Sequence, residues 1–272
     1  MKHTPRKRFG QNFLTDQQVI NEIVSAIHPQ QDQYLVEIGP GQGALTSLLV
    51  DNCRQLDLIE IDRDLVARLI SQYADNTHLV IHQLDALKLD LSKLLPVTSN
   101  PLDVPEKMRL IGNLPYNIST PLMFHVLKQA QLIIDMHFML QKEVADRIAA
   151  QPGCKQYARL SVITQYLCKI SKLFHVAPDS FNPQPKVWSS FVRLTPHKEP
   201  PVVINSFQSF NTVVTQAFSQ RRKTLRNTLS KSLSSQQINS VDIDPGRRAE
   251  TLSLEEFAQL SCLLVDDGDT EE

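Results

Sequence analysis

The sequence predicts an α/β protein in which a parallel, doubly wound sheet is followed by a small all-helical C-terminal domain. Three observations predict it. Apolar runs of strand length alternate with segments of helical period from Tyr34 to Ala150, the order that builds a parallel sheet with helices on its faces. The first of these strands opens into the glycine turn Gly39-Pro40-Gly41-Gln42-Gly43. Beyond the polar, proline-rich segment His197 to Pro201 the strand pattern stops. The expected domains are residues 1–198, with a basic N-terminal arm, and residues 202–272, with an acidic tail.

In order, Asp16 is an N-cap for a helix through Ile20, Ile23, Val24 and Ile27. Tyr34 to Ile38 is a strand, and a helix resumes after the glycine turn at Ala44 to Val50. Leu56 to Ile61 is a second strand, followed by a helix from Arg63 to Tyr73 with Leu65, Val66, Leu69 and Ile70 inward. The third strand, Leu79 to Leu84, ends at Asp85. A loop from Pro96 to Pro105 leads to a strand over Arg109 to Asn113 and a helix over Ser119 to Lys128. Leu132 to Leu140 is a strand, and Glu143 to Ala150 a helix. Past Arg159 come a helix to Cys168, strands near Lys172 to Val176 and Phe191 to Thr195, and between them the proline-rich loop Ala177 to Lys186. The remainder reads as helices, the last from Leu254 to Leu264 with Ser253 and Glu256 as a capping box.

Composition narrows the function classes. At 272 residues and 42% hydrophobic content the chain can bury a full core. It carries no apolar run of membrane-span length, and the basic N-terminus lacks the apolar stretch of a signal peptide, so a cytoplasmic protein is expected. Cys53, Cys154, Cys168 and Cys262 form no CxxC pair, and the histidines are dispersed. Reduced core cysteines and no bound metal are therefore expected. The net charge of −1 conceals local blocks: Lys2, Arg6, Lys7 and Arg8 at the start, and Arg221, Arg222, Lys223, Arg226 and Lys231 in a stretch from Pro200 to Val241 without an acid. Such blocks suit phosphate contacts, although a solvated face would look the same.

The chemistry gathers at strand ends, where ligands of doubly wound sheets bind. Gly39, Gly41 and Gly43 let a nucleotide-like ligand approach the backbone. Glu60, about 20 residues beyond the first glycine, sits where a carboxylate accepts ribose hydroxyls, an arrangement that serves NAD and S-adenosylmethionine alike. Asp85 ends the next strand and can accept from a cofactor adenine or cap a helix. Asn113-Leu114-Pro115-Tyr116 separates the readings. An adenine N6 lone pair is delocalised into its ring, and acceptors at the Asn113 amide oxygen and the Leu114 carbonyl would favour a more tetrahedral, nucleophilic nitrogen. Pro115 fixes the backbone between them, and Tyr116 offers a stacking face.

On Gly10-Gln11-Asn12-Phe13-Leu14, Glu37-Ile38-Gly39-Pro40-Gly41-Gln42-Gly43, Asn113 to Tyr116, Gln141-Lys142-Glu143-Val144-Ala145 and Phe181-x-Pro183-x-Pro185-Lys186-Val187, the chain resembles the small-subunit ribosomal RNA adenine dimethyltransferases. That family is also known as the kasugamycin-sensitivity methyltransferases and is related to the erythromycin-resistance methyltransferases. The resemblance implies a Rossmann-like class I S-adenosylmethionine-dependent methyltransferase sheet with a helical RNA-binding domain. It implies that Asn12 and Leu14 close the S-adenosylmethionine pocket, Gly39 and Gly41 hold the methionine part, Glu60 takes the ribose and Asp85 the adenine. Asn113 and Leu114 would orient the target amine, with Tyr116 and Phe181 stacking on the target base, Phe181 from an exposed proline-rich loop. Arg6, Lys7, Arg8, Arg221, Arg222, Lys223 and Arg226 would hold RNA, the last four on an acid-free helix. The implied substrate is 16S rRNA in the immature small ribosomal subunit, dimethylated at two adjacent adenosines of a hairpin loop near its 3′ end by a monomeric enzyme. The rivals are a resistance-type methyltransferase acting on large-subunit RNA and, on the glycine turn and Glu60 alone, a nicotinamide dehydrogenase. A noncatalytic grip on immature subunits is compatible with the first reading.

Overall fold

The computed structural model describes residues 11–95 and 106–264; Arg6, Lys7 and Arg8, the Pro96 to Pro105 loop and the acidic tail lie outside the described residues. The chain divides into two units, Met1–Ala145 with Ile170–Pro196, and Asp146–Lys169 with His197–Glu272. The chain therefore passes between the units more than once, and a single cut at residue 198 marks only the last passage.

The first unit is built on β1 (Phe13–Leu14), α1 (Gln17–Ile27), β2 (Tyr34–Ile38), α2 (Thr46–Leu49), β3 (Gln55–Glu60), α3 (Arg63–Gln72), β4 (Leu79–Gln83), β5 (Met108–Asn113), α4 (Ser119–Leu127) and β6 (Ile133–Gln141). Next come α5 (Lys142–Ile148), α6 (Arg159–Leu167), β7 (Cys168–Val176), β8 (Phe181–Asn182) and β9 (Ser189–Pro196). Seven strands form one sheet in the order β4-β3-β2-β5-β6-β9-β7. Parallel pairing joins β4 through β6, but β9 runs antiparallel to β6, so the sheet is mixed rather than wholly parallel. The connection from β7 to β9 is the proline-rich loop, which carries no crossover helix of the kind a parallel neighbour requires.

The central strands read as apolar because both faces are covered: all of Tyr34 to Ile38 is buried, Glu37 included. Helix α1 starts where Asp16 accepts from the Gln18 and Val19 amides at 2.9 and 3.3 Å. It buries Ile20, Ile23 and Ile27 in the same cluster as Leu35, Leu56 and Ile111. On β5, Gly112 leaves no room for a side chain, since a Cβ there would meet the Ile38 carbonyl oxygen at 2.7 Å. Gly112→Ala is expected to lower stability by ~1–3 kcal/mol, because backbone on the neighbouring strand must give way. That loss reads as several degrees in a thermal melt, and an unchanged melting temperature would refute the crowding.

In the second unit α7 (Phe207–Ala217), α8 (Leu225–Thr228), α9 (Ser235–Asn239) and α10 (Leu254–Cys262) join α6. Its centre is aromatic, with Tyr166 and Phe210 rings 4.8 Å apart and Phe218 and Phe257 5.7 Å apart. The α10 capping box forms as expected, Glu256 N donating to Ser253 Oγ at 3.2 Å and Ser253 N to Glu256 Oε2 at 2.8 Å. Arg221, Arg222 and Lys223 do not lie on a helix. Helix α7 ends at Ala217, and the basic run forms the turn before α8, which carries only Arg226. The cysteine expectation also needs correction, because Cys53 and Cys168 are buried but Cys154 and Cys262 are exposed.

Candidate active site

The strand order reverses between β2 and β5, and a cavity opens beyond the carboxyl ends of β2, β3 and β5 at that switch point. All of its lining residues belong to the first unit. Gly39 and Gly41 form one wall at φ +69° and +58°, values that side chains rarely adopt. At Gly41 a Cβ would also meet the Phe13 ring at 2.9 Å, so the Gln11 to Phe13 segment lies directly over the turn.

Glu60 is buried at the end of β3 and braces that wall: Oε2 accepts from Gly41 N at 3.3 Å and Oε1 from Asp62 N at 2.9 Å. Burial pushes its carboxyl up, opposed by the backbone amides of Asp62, Gly41 and Ile61. A carboxylate has about four acceptor directions, which leaves capacity for hydroxyl donors from a ligand. Asp85 caps a short helical turn, Oδ1 accepting from Leu87 N at 3.0 Å, and it also lines the cavity.

Asn113 closes the end of β5. Its Nδ2 donates to the Asn12 carbonyl at 2.8 Å, which turns Oδ1 into the atom left to accept a donor from the cavity. Leu114 N donates to Met139 O at 3.2 Å, and the Pro115 carbonyl accepts from Ile118 N at 3.1 Å in the turn that leads to α4. Half-buried Tyr116 is held by a 2.6 Å bond between its hydroxyl and Ser189 Oγ on β9. Burial raises the Tyr116 hydroxyl's pKa, so it stays protonated at neutral pH.

Two expected residues are placed differently. Leu14 is buried and lines a smaller neighbouring cavity with Glu37 and Met139. Phe181 is not an exposed wall: it is 3% exposed, pairs with Leu14 through the two-stranded β1–β8 ladder and belongs to the core. The flanking prolines do stiffen an exposed stretch, but it begins after Phe181. Sequence reasoning missed Gln11, Phe13, Glu37 and Ser189. Gln11, Phe13 and Glu37 stood inside quoted motifs that also carry glycines; nothing in spacing links Ser189 to Tyr116.

Glu37 lies under the turn with Thr46 Oγ1 donating to its Oε2 at 2.6 Å. Burial pushes its carboxyl up to about 7, a rise the nearby Glu60 charge adds to and the Thr46 bond opposes. The folded protein therefore binds more protons here than the unfolded chain between about pH 4.5 and 7, so this group's contribution is best at low pH and is lost as pH rises. Glu37→Gln is expected to melt above the parent at pH 8 by up to roughly 3 kcal/mol, with the gain vanishing near pH 4.5. Parallel melting curves of parent and variant across that range would contradict this.

Among solved structures, a dimethyladenosine transferase from Plasmodium falciparum superposes with a TM-score of 0.73 at 24% identity, covering 91% of this chain and 95% of that one. The 23S rRNA methyltransferase ErmE gives 0.69 at 23% identity, covering 93% and 99%. The glycine turn, Glu60 and the Asn113 strand end meet in one cleft of a Rossmann-like α/β fold that this chain shares with these two structures. Residues 2–266 match the family described as ribosomal RNA adenine dimethylase. Proteins named ribosomal RNA small subunit methyltransferase A are 52% identical in Saccharophagus degradans, over 96% of this chain and 95% of that one, and 49% identical in Pseudomonas aeruginosa, over 97% and 96%. The chain belongs to the ribosomal RNA adenine dimethylase family, and it is an enzyme of that class.

Proposed function

We propose that this enzyme moves methyl groups from S-adenosyl-L-methionine to N6 of two adjacent adenosines in a hairpin loop near the 3′ end of 16S rRNA. In this reading it acts in the cytoplasm, as a monomer, on the immature small subunit. The observation that carries it is Asn113, whose amide nitrogen is committed to the Asn12 carbonyl so that its oxygen is the acceptor beside Tyr116.

The cleft fits the cofactor: the positive-φ turn at Gly39 and Gly41 presents bare backbone along one wall, Glu60 retains acceptor capacity for ribose hydroxyls, and Asp85 stands at the next strand end for an adenine amine. When bound, the cofactor supplies an electrophilic methyl on a sulfonium. Asn113 Oδ1 and the Leu114 carbonyl would accept the two N6 protons of the target and aim its lone pair, while Tyr116 covers the base. N6 would give up one proton to solvent for each methyl it gains, with Asn113 Oδ1 and the Leu114 carbonyl holding the amine in place. After the first methylation one N–H remains, so one acceptor still orients the amine for the second. A base paired in a helix cannot enter, which requires a loop or flipped nucleotide.

Exposed Arg222, Lys223 and Arg226, with Arg221, suit phosphate contacts. Arg221 also bonds Glu250 at 3.2 Å, so it is partly committed to its own fold. Methyl incorporation into separated small and large subunits from cells lacking the gene tests the reading. Label is expected in small-subunit dimethyladenosine, and label confined to large subunits would overturn it.

A further inference from the structure

We propose that Trp188 is a stacking platform for a nucleotide flanking the target adenosine. This inference rests on the reading above that Tyr116 covers the target base.

Trp188 is the one tryptophan of the chain and is 51% exposed, beside Val187 at 44%. An indole left half in water on a loosely held loop would mean little, but its carbonyl and the residue that follows it are held by the sheet and α5. The Trp188 carbonyl accepts from Lys142 N at 2.9 Å, at the start of α5. The next residue, Ser189, is buried, pairs with Gln141 across the sheet, and holds the Tyr116 hydroxyl at 2.6 Å. Trp188 therefore stands one residue from the group that sets the Tyr116 ring, on the same first unit as the cleft. Drawing one base out of a strand unstacks its neighbours and exposes their faces. An exposed indole restores that stacking without reading sequence, and exposed Lys186 two residues upstream supplies a cation for the adjoining phosphate. That pairing of aromatic and cation, one and three residues from the serine that holds the Tyr116 hydroxyl, favours RNA over a protein surface as the occupant.

Because Trp188 touches a neighbour and not the reacting atoms, its loss should weaken substrate binding uniformly, raising KM and sparing kcat. With unmethylated small subunits as substrate, Trp188→Ala is expected to raise KM about tenfold or more, with kcat within about twofold. Trp188→Phe should recover most of the loss, and S-adenosylmethionine binding by both variants should match the parent, which also shows that they fold. The proposal fails if Trp188→Ala leaves KM within twofold, if kcat alone falls, or if Phe fails to rescue. It also fails if the KM defect on subunits comes with unchanged affinity for a protein-free hairpin RNA, since the contact would then be to a subunit protein. A parent enzyme that methylates no small subunits would instead defeat the functional reading on which the inference rests.

Discussion

Asn113→Ala is expected to cut methyl transfer by roughly 10²–10⁴-fold, because the proposed reading has one side chain orient the amine while it also pins the Asn12 segment that lines the cleft. The alanine removes Oδ1, the acceptor beside Tyr116, and also the 2.8 Å bond from Nδ2 to the Asn12 carbonyl. The two losses separate in Asn113→Asp, which keeps an oxygen at the Oδ1 position and deletes the donor. The aspartate should weaken S-adenosylmethionine binding without losing as much of the chemical step. Single-turnover rates and cofactor affinity, measured on the parent and both variants, check this division. Transfer by Asn113→Ala within tenfold of the parent would remove Asn113 from the reaction.

The largest expected effect on stability lies away from the cleft. Arg109 Nε and Nη2 donate to Asp135 Oδ1 and Oδ2 at 2.8 and 3.0 Å across the β5–β6 pair, with side chains 7% and 13% exposed. Further bonds run from Nη2 to Ile27 O at 2.7 Å and from Nη1 to Gln33 Oε1 at 2.9 Å, so the guanidinium ties the end of α1 to the sheet. Asp135→Ala leaves a buried cation without its anion and is expected to cost ~3–5 kcal/mol. Replacing both partners, Arg109→Met with Asp135→Leu, should return much of that loss, because no unpaired charge remains.

Burial alone would raise the Asp135 carboxyl, but His137, whose Nδ1 lies 3.5 Å away, and Arg109 together hold it below the usual carboxylate range. Its contribution is therefore complete above the unfolded value of about 3.9 and is lost as pH falls through the lower folded value. The gap in melting temperature between parent and Asp135→Ala should be constant at neutral pH and shrink below about pH 4. A gap that instead closes on going from pH 5 to 8 would contradict the assignment.

Much of this arrangement is legible in the chain because the physics behind it is local. Asp16, Ser253 and Glu256 announce helix starts through bonds to amides two or three residues away. Strands β2, β3 and β5 are mostly apolar and buried on both faces, so their limits could be read to within a residue or two. Glu60 and Asn113, the polar residues that end β3 and β5, both line the cavity beyond the strand ends, which is why the sequence alone could point to them.

What escaped reading depends on contacts distant in sequence. An apolar run does not record its direction, and antiparallel β9 looks the same as a parallel strand. Phe181 is buried by pairing with Leu14, a two-residue ladder that leaves no period to detect. Arg221 to Lys223 continue a segment without glycine or proline, so nothing local marks the turn after Phe218. The Tyr116–Ser189 bond joins residues 73 apart, and only the fold reveals it.

The central claim is that the Asn113 cleft dimethylates adenosines of small-subunit RNA. Mass spectrometry of that RNA from cells lacking the gene, complemented with the parent or with Asn113→Ala, tests it most directly. The account predicts two adjacent dimethyladenosines absent without the gene, restored by the parent and not by Asn113→Ala. Dimethyladenosine unchanged in the deletion strain, or restored by Asn113→Ala, would contradict it.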